Sequence, residues 1–289
     1  MREKIENVLK DMGDTSSLKN IYSVSGGDIS EAYRIITSDG QYFFKYNGKA
    51  PNDFFQKEAE GLRMLRNTDA LQVPLVYHWS HESHSTAGYI LMEWLEGEAT
   101  VDTEEQLGQG LAHLHFSLSK HGYGLTSDNY IGTLPQPNGW REDWVTFLRD
   151  QRLGFQANLA EKQGMLRGKR KDNLYRLLIN LEKWIPHQPG PSMLHGDLWG
   201  GNWMTGPKGA PYLIDSAVFY GDREFEIAFT ELFGGYSSRF YDAYREISPL
   251  PPEYEERKHI YQLYYLLVHL NLFGESYGSS IDRVLSRYV

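Results

Sequence analysis

Apolar and polar positions alternate along the first part of the chain in the way that is typical of short strands. Three such runs lie near residues 21–24, 31–37 and 42–46, and Gly26-Gly27 and Ser38-Asp39-Gly40 separate them. Glycine and aspartate at these breaks favour tight turns. The pattern therefore predicts a meander of antiparallel strands.

The period of the pattern then changes to that of a helix. Between residues 53 and 66 the apolar residues recur at the spacing of one helical face, and Glu58 is the charged residue on that face. Two more apolar runs, at 73–80 and 88–97, predict two further strands. The first ninety residues thus predict a small sheet around one main helix.

Beyond this region the pattern is mostly helical. Residues 102–120 carry leucines at helical spacing. Asp102 and Glu105, which precede these leucines, are arranged like a capping box at the start of a helix. Further helices are predicted near residues 140–161, 171–184, 223–233 and 259–273. We therefore expect a second, mostly helical part of the chain.

The change of pattern divides the chain into two lobes of an α+β fold. Residues 1–92 are predicted to form an N-terminal lobe with an antiparallel sheet. Residues 93–98 contain a chain reversal near Gly97 and are predicted to connect the lobes, and residues 99–289 form the C-terminal lobe.

Composition narrows the functional classes. The chain has 289 residues, enough for two lobes, and no uncharged apolar run long enough to cross a membrane. The first residues show no apolar signal core, so we expect a cytoplasmic protein. The absence of cysteine excludes disulfides and thiolate chemistry. The net charge of -9, without a long basic run, argues against a nucleic-acid partner.

The densest group of candidate catalytic residues lies in "HGDLWGGN" and the following "LIDSA". Between them, "NWMT" and "PYLID" flank a glycine-containing turn and predict a hairpin that places Asn202 opposite Ile214 and Asp215. Asp197 precedes Asn202 by five residues. Carboxylate and amide oxygens of this kind suit Mg²⁺. Taken singly, each of these residues is more often an ordinary turn or strand-end residue.

The spacing favours the catalytic interpretation. A histidine, an aspartate two residues later, an asparagine five residues after that and a second aspartate beyond a hairpin form the pattern of a kinase catalytic loop. In this pattern Asp197 is the catalytic base, and Asn202 and Asp215 hold Mg²⁺. We expect His195 to order the loop through hydrogen bonds rather than to transfer a proton. Asp222 has no part in the pattern.

A kinase also needs a lysine on the third strand and an acid on the next helix. Lys45 lies in an aromatic strand and Glu58 on an apolar helical face, where an unpaired carboxylate is costly. An ion pair between them removes both anomalies, and the alternative is a surface lysine beside a glutamate at the edge of its face. The "SGGDIS" segment lacks the full glycine motif, but its position ahead of Lys45 suits a turn that covers phosphates.

These motifs resemble the fructosamine kinase (ketosamine-3-kinase) family, within the group of aminoglycoside-phosphotransferase-like and choline-kinase-like enzymes. The resemblance extends over nearly the whole chain, including "FQKEAEGL", "LGQGLAHLH", "YGDREFEIA", "ELFGGY" and "YQLYYLLVHLNLFGESY". It implies a two-lobed protein kinase-like fold. It also implies ATP-dependent phosphorylation of a sugar hydroxyl, O3, on a ribulosamine, erythrulosamine or fructosamine, with a role in deglycation.

The resemblance also assigns residues to ATP. Lys45 would hold the α- and β-phosphates with Glu58 as its partner, and Ser30 would approach the outer phosphates. The adenine would meet backbone groups of Glu93, Trp94 and Leu95.

On the acceptor side, Trp199 in the catalytic loop is expected to shape the sugar site. Trp140 lies one helical turn before Trp144 and is either a core residue or, because this region faces the acceptor site in the family, a residue that stacks on the sugar. Glu231 has either a structural role or a contact with the amine. The sequence departs from many relatives at two positions. Ser216 replaces a proline after the metal-binding aspartate, and Asp28 replaces a cysteine that some relatives carry in the glycine turn. Without cysteine, the disulfide switch proposed for those relatives cannot operate here.

Two other functions stay open on the sequence alone. A kinase of the same fold could act on an aminoglycoside, choline or a thiosugar. A nucleotide-binding pseudokinase is the second alternative, although the expected base and metal residues are all present. Two histidine pairs are interpreted as structural or solvent-exposed. His113 and His115 are two residues apart and diverge around a helix, and His81 and His84 lie in a polar loop with no third metal ligand nearby.

Overall fold

The computed structural model describes residues 1–25, 30–80 and 87–289. Residues 26–29, which hold most of the glycine turn and Asp28, lie outside the described residues. So do His81 and His84. The turn that was predicted to cover phosphates is therefore represented by its flanks, Ser25 and Ser30.

The N-terminal lobe is built on a five-stranded antiparallel sheet with the strand order β1-β2-β3-β5-β4. Its strands are β1 (Leu18–Val24), β2 (Glu31–Thr37), β3 (Gln41–Asn47), β4 (Val76–Trp79) and β5 (Gly88–Glu93). The predicted meander of three strands is confirmed, and β5 pairs with β3 through residues such as Ile90, which lies opposite Lys45.

Two helices cover this sheet: the predicted main helix and a shorter N-terminal helix that the sequence pattern did not indicate. Helix α1 (Arg2–Asp11) packs Ile5, Val8 and Leu9 against one face. Its other positions are mostly charged, which made its short apolar face hard to detect in the sequence. Helix α2 (Phe54–Arg66) was predicted, and Lys45 reaches it because alternate residues of β3 point to opposite faces.

The C-terminal lobe is mostly helical, as predicted. Its helices are α3 (Thr103–His115), α4 (Trp144–Phe147), α5 (Gly154–Lys162), α6 (Gly168–Ile179), α7 (Arg223–Leu232), α8 (Ser238–Ile247), α9 (Tyr254–Phe273) and α10 (Gly278–Tyr288). A π-helical turn, Leu148–Leu153, joins α4 to α5. Helix α9 is buried along most of its length and is central to the core. The sequence pattern did not indicate α8 or α10.

The start of α3 differs from the prediction. Asp102 makes no capping hydrogen bond through its side chain. The hydroxyl of Thr103 accepts a hydrogen bond from the backbone N–H of Thr100 at 2.8 Å and donates to the carbonyl of Gly209 at 2.8 Å. The helix also ends at His115, five residues before the predicted end at residue 120. The proposed capping box was therefore wrong, because no side chain makes a capping hydrogen bond at the start of α3.

Three short strand pairs complete the lobe. They are β6 (Asn129–Ile131) with β7 (Leu134–Gln136), β8 (Ser192–Leu194) with β11 (Phe219–Gly221), and β9 (Trp203–Thr205) with β10 (Pro211–Leu213). The β9–β10 pair is the predicted hairpin, and its next hydrogen bond runs from Ile214 N–H to the carbonyl of Asn202 at 3.0 Å. Asn202 and Asp215 therefore meet at one end of the hairpin.

Gly97, in the segment predicted to connect the lobes, lies directly on this hairpin. A Cβ atom at Gly97 would be 1.8 Å from the carbonyl oxygen of Gly206, so a side chain at Gly97 would displace the backbone of the turn. In the part of the chain that the structure describes, no helix combines the length and the apolar character needed to cross a bilayer.

Candidate active site

Lys45 joins the two lobes through a pair of carboxylates. Its Nζ lies 3.1 Å from Glu58 Oε1 on α2 and 2.8 Å from Asp215 Oδ1, which follows β10. The predicted ion pair with Glu58 is present. The second contact, across 170 positions of sequence, was not predicted.

The pKa values of the two carboxylates are shifted in opposite directions. Burial raises the pKa of Glu58 to about 7, against the opposing effect of Lys45. Burial also acts to raise the pKa of Asp215, but the charge and hydrogen bond of Lys45 outweigh it and hold that pKa below the usual value. Despite burial, both carboxylates raise the pKa of Lys45, so its ammonium is charged. Asp215 is therefore ionised at neutral pH.

Asp197 and Asn202 form the next part of the site. Asn202 Nδ2 donates hydrogen bonds to Asp197 Oδ2 at 3.0 Å and to the Asp197 carbonyl at 2.7 Å. Burial raises the pKa of Asp197 well above its usual value, and the nearby charge of Asp215 adds to this effect. Because its nitrogen is used in this way, Asn202 has its amide oxygen left for another ligand.

His195 ties this loop to the segment after the hairpin. Its Nε2 donates to the carbonyl of Ile214 at 2.8 Å, and its Nδ1 accepts from the backbone N–H of Asp197 at 3.3 Å. The ring is fully buried, and burial lowers its pKa, so it is neutral. Gly196, at φ 85°, would place a Cβ atom 2.1 Å from the Ala217 carbonyl. The close approach of the two segments thus requires glycine.

A cleft of about 380 Å³ opens onto these residues. On its polar side it is lined by Ser30, Lys45, Glu58, Asp197, Asn202, Asp215 and Ser216. On the other side it is lined by aromatic and apolar residues, among them Trp199, Phe233, Phe273 and Tyr277. The structure therefore brings the predicted base, metal ligands and lysine together in one cavity beside an apolar wall.

The whole chain, residues 1–289, matches the family model described as Fructosamine kinase. The chain belongs to the fructosamine kinase family. It is 40% identical over 274 residues to a "Probable ketoamine kinase" of Lactiplantibacillus plantarum, covering 94% of this chain and 95% of that protein. It is 36% identical over 280 residues to a chloroplastic "Protein-ribulosamine 3-kinase" of Oryza sativa subsp. indica, covering 96% and 81%.

Solved structures agree with this family membership. A putative fructosamine-3-kinase from Haemophilus somnus superposes with a TM-score of 0.88 at 30% identity, covering 100% of this chain and 98% of that chain. Choline kinase LicA from Streptococcus pneumoniae has a TM-score of 0.67 at 14% identity, covering 99% of each chain, which is a likeness of fold alone. The predicted two-lobed kinase-like fold is confirmed.

The residues that the resemblance assigned to ATP lie in the cleft, at the end of β5 and directly after β5 in this fructosamine kinase fold. Ser30 lines the cleft, and its buried hydroxyl has no hydrogen-bond partner within the described residues. Glu93 ends β5, and its Oε2 accepts from the backbone N–H of Leu75 at 3.1 Å. The Arg34 guanidinium lies 4.6 Å from the ring centre of Trp94, and Leu95 is buried. Their contacts with the nucleotide stay predictions.

Two of the three tentative acceptor residues do not line the cleft. Trp140 packs near His121 and Tyr220, with ring centres 5.5 Å and 6.0 Å away. Glu231 accepts hydrogen bonds from Lys258 Nζ at 3.0 Å and from the hydroxyl of Tyr254 at 2.9 Å, outside the cleft lining. Each of the two is engaged with other partners, and a contact of either with the acceptor stays a prediction. Trp199 does line the cleft and is 44% exposed.

Glu226, whose buried carboxylate binds the backbone of the catalytic loop, was not identified from the sequence. Its carboxylate accepts hydrogen bonds from the backbone N–H groups of His195 at 3.1 Å and Gly196 at 2.7 Å, and from His115 Nε2 at 3.0 Å. Burial acts to raise the pKa of Glu226, but the hydrogen bond and charge of His115 outweigh it and lower that pKa. An acid on the buried face of α7 was the available signal, the same one that identified Glu58.

The oxygen ligands at the end of the hairpin fit a magnesium ion whose remaining ligands come from a nucleotide and water. Asp215 offers an ionised carboxylate and Asn202 an amide oxygen. Within residues 1–25, 30–80 and 87–289, no group of three or more histidines and acids is placed to hold a metal ion. Mg²⁺ is commonly bound by one or two protein ligands, with water and phosphate oxygens completing its coordination. Asp215 has φ 54°, a strained value that is common at functional sites.

Proposed function

We propose that this protein transfers the γ-phosphoryl group of ATP to the O3 hydroxyl of a ketosamine. The observation that carries the proposal is the single cleft that holds Lys45 between Glu58 and Asp215, with Asp197 beside Asn202. Membership of the fructosamine kinase family over the whole chain supports the substrate class. The physiological role that follows is deglycation, and the need for ATP favours a cytoplasmic location.

In the proposed reaction, Asp197 accepts the proton of the O3 hydroxyl while O3 attacks the γ-phosphorus of ATP. The bond between O3 and phosphorus forms, the bond from phosphorus to the bridging oxygen breaks, and ADP leaves. The raised pKa of Asp197 suits a general base, because proton transfer is most efficient when the pKa is near the working pH. The hydrogen bond from Asn202 orients its carboxylate.

The other residues position the nucleotide in this proposal. Lys45 binds the α- and β-phosphates, and Ser30 approaches the outer phosphates from the glycine turn. Backbone groups of the connector, Glu93 to Leu95, bind the adenine. Asn202 and Asp215 would hold Mg²⁺, which would neutralise phosphate charge as the transfer proceeds.

An acceptor panel tests the function directly. With ADP release as the readout, we expect turnover of ribulosamine, erythrulosamine or fructosamine forms of a lysine derivative. We expect little or none with choline, an aminoglycoside or a thiosugar. Turnover of choline without turnover of any ketosamine would overturn the substrate assignment. Binding of ATP without turnover of any acceptor would identify a pseudokinase.

The pH dependence provides a second test. The base must be ionised, and its pKa is raised by burial, so kcat/KM for the ketosamine should fall as pH drops through that raised pKa. A single base predicts a loss of about tenfold per pH unit on the acid side. The coupling enzymes are checked separately at each pH. A flat profile down to the ordinary range of an aspartate would argue that Asp197 is not the base.

A further inference from the structure

Four aromatic side chains form a cage on the apolar wall of the cleft. The ring of His269 is at the centre, with ring centres 4.8 Å from Phe233, 5.0 Å from Tyr277 and 5.6 Å from Phe273. All four line the cleft. Phe233 is 43% exposed and Phe273 is 48% exposed, so both rings remain accessible at the cleft. We call these four residues the aromatic cage.

The cage is close to the catalytic loop. On α9, Tyr265 precedes His269 by four residues, about 6 Å along the helix, and its hydroxyl donates to the carbonyl of Gly196 at 3.0 Å. Gly196 is the neighbour of Asp197. On the other side, Phe233 leads into Gly235, whose Cα would lie 3.0 Å from a Cβ atom at Gly200. Two independent connections therefore join the segments that carry the cage to the catalytic loop.

The central histidine is neutral and offers a hydrogen-bond acceptor. Its Nδ1 donates to the carbonyl of Tyr265 at 2.8 Å, which assigns the ring proton to Nδ1 and the lone pair to Nε2. Burial lowers the pKa of His269, so the ring does not carry a positive charge near neutral pH. The cage thus combines the negative faces of aromatic rings with one acceptor nitrogen. That combination suits an ammonium group that has N–H bonds to donate.

We propose that the aromatic cage binds the protonated secondary amine of the ketosamine and the start of its substituent. This inference rests on the proposed function. In a ketosamine the nitrogen is four covalent bonds from O3, a span of roughly 5 Å. With O3 at Asp197, the amine extends toward the cage, because Asp197 and all four cage residues line the same cleft.

In this proposal the aromatic cage, rather than Glu231, binds the amine. That carboxylate is paired with Lys258, while Phe233, two residues later in the same "ELFGGY" segment, faces the cleft. Recognition by ring faces binds the charge of the amine without fixing what is attached to it. The exposed side of the cage leaves room for a long substituent to leave toward solvent, so an amine carried by a lysine side chain fits this arrangement.

The test compares charged and neutral acceptors. The probes are the ribulosamine of Nα-acetyl-lysine and its analogue with an ether oxygen in place of the amine. For Phe233→Leu and Phe273→Leu, measured separately, we expect the ratio of kcat/KM for the charged over the neutral probe to fall roughly 2- to 30-fold, mainly through KM. Phe273→Tyr keeps an aromatic ring at this position, so its ratio should stay at the wild-type value. Phe116→Leu removes a ring that is 58% exposed at the end of α3 and should leave the ratio unchanged.

Binding without turnover gives an independent readout. Calorimetry with a non-hydrolysable ATP analogue should show weaker binding of the charged probe to each leucine variant, and circular dichroism checks that both variants are folded. Equal losses for the charged and neutral probes, or no loss in either leucine variant, would overturn the inference. A wild-type protein that phosphorylates no ketosamine would instead overturn the proposed function on which it rests.

Discussion

Replacing Asp197 by asparagine should lower kcat by roughly 10²- to 10⁴-fold while ATP still binds. The amide is nearly the same size as the carboxylate, and its oxygen can still accept the hydrogen bond from Asn202. It cannot take up the proton of the acceptor hydroxyl. The ATP site should persist, because Lys45, Glu58 and Asp215 are unchanged.

The same substitution should not destabilise the protein. The fold raises the pKa of Asp197, so the ionised side chain costs folding free energy at pH values above that pKa. Asparagine removes this cost together with the repulsion from Asp215. We therefore expect an unchanged or higher Tm, which is typical of a residue kept for activity rather than stability.

Steady-state assays and calorimetry separate these effects. The assays give kcat with a ketosamine, and calorimetry gives the Kd for ATP. Asp150→Asn is the matched control, because its carboxylate is half-exposed on the π-helical turn and is not among the residues that line the cleft. A kcat for Asp197→Asn that stays within a few fold of the wild-type value would remove Asp197 from the mechanism.

The proposed base and metal ligands could be placed together from the sequence because their register is local. Asp197, Asn202 and Asp215 fall within one loop and one hairpin, where the covalent chain restricts their relative positions. Lys45 and Glu58 were detectable for a different reason: each is a charged residue at a position that the surrounding pattern makes apolar. Burying either one alone is costly, so their pairing was the simplest explanation.

The sequence was less informative where orientation depends on distant partners. Glu231 turns away from the cleft because Lys258 and Tyr254, both on α9, bind its carboxylate. Nothing in the local pattern of α7 indicates those partners. The position of Trp140 is likewise set by His121 and Tyr220. The aromatic cage also depends on tertiary structure, because its rings come from segments that only the fold brings together.

Glu226 shows how the buried polar core supports the site. Its two backbone donors belong to the catalytic loop, and its third donor, His115, is itself held at 2.8 Å by the hydroxyl of Tyr244. The carboxylate is fully buried. Three donors converge on an anion that accepts all of them. This arrangement fixes the backbone on either side of His195 before any substrate binds.

Replacing Glu226 by glutamine should therefore lower both stability and activity. Glutamine has one acceptor oxygen, and its amide group would face a donor N–H, so at least one buried donor is left unsatisfied at a cost of about 2–3 kcal/mol. The loop that carries Asp197 then loses its fixed position, and kcat should fall by up to roughly 10²-fold, with little change in KM for ATP. Urea denaturation and steady-state kinetics measure the two effects.

Glu224→Gln is the control on the same helix. This substitution breaks the buried ion pair between Glu224 and Arg257, and its hydrogen bonds do not involve the catalytic loop. The variant should therefore lose stability and keep kcat. Equal losses of kcat in the two variants would show that general destabilisation, rather than the position of the loop, explains the effect.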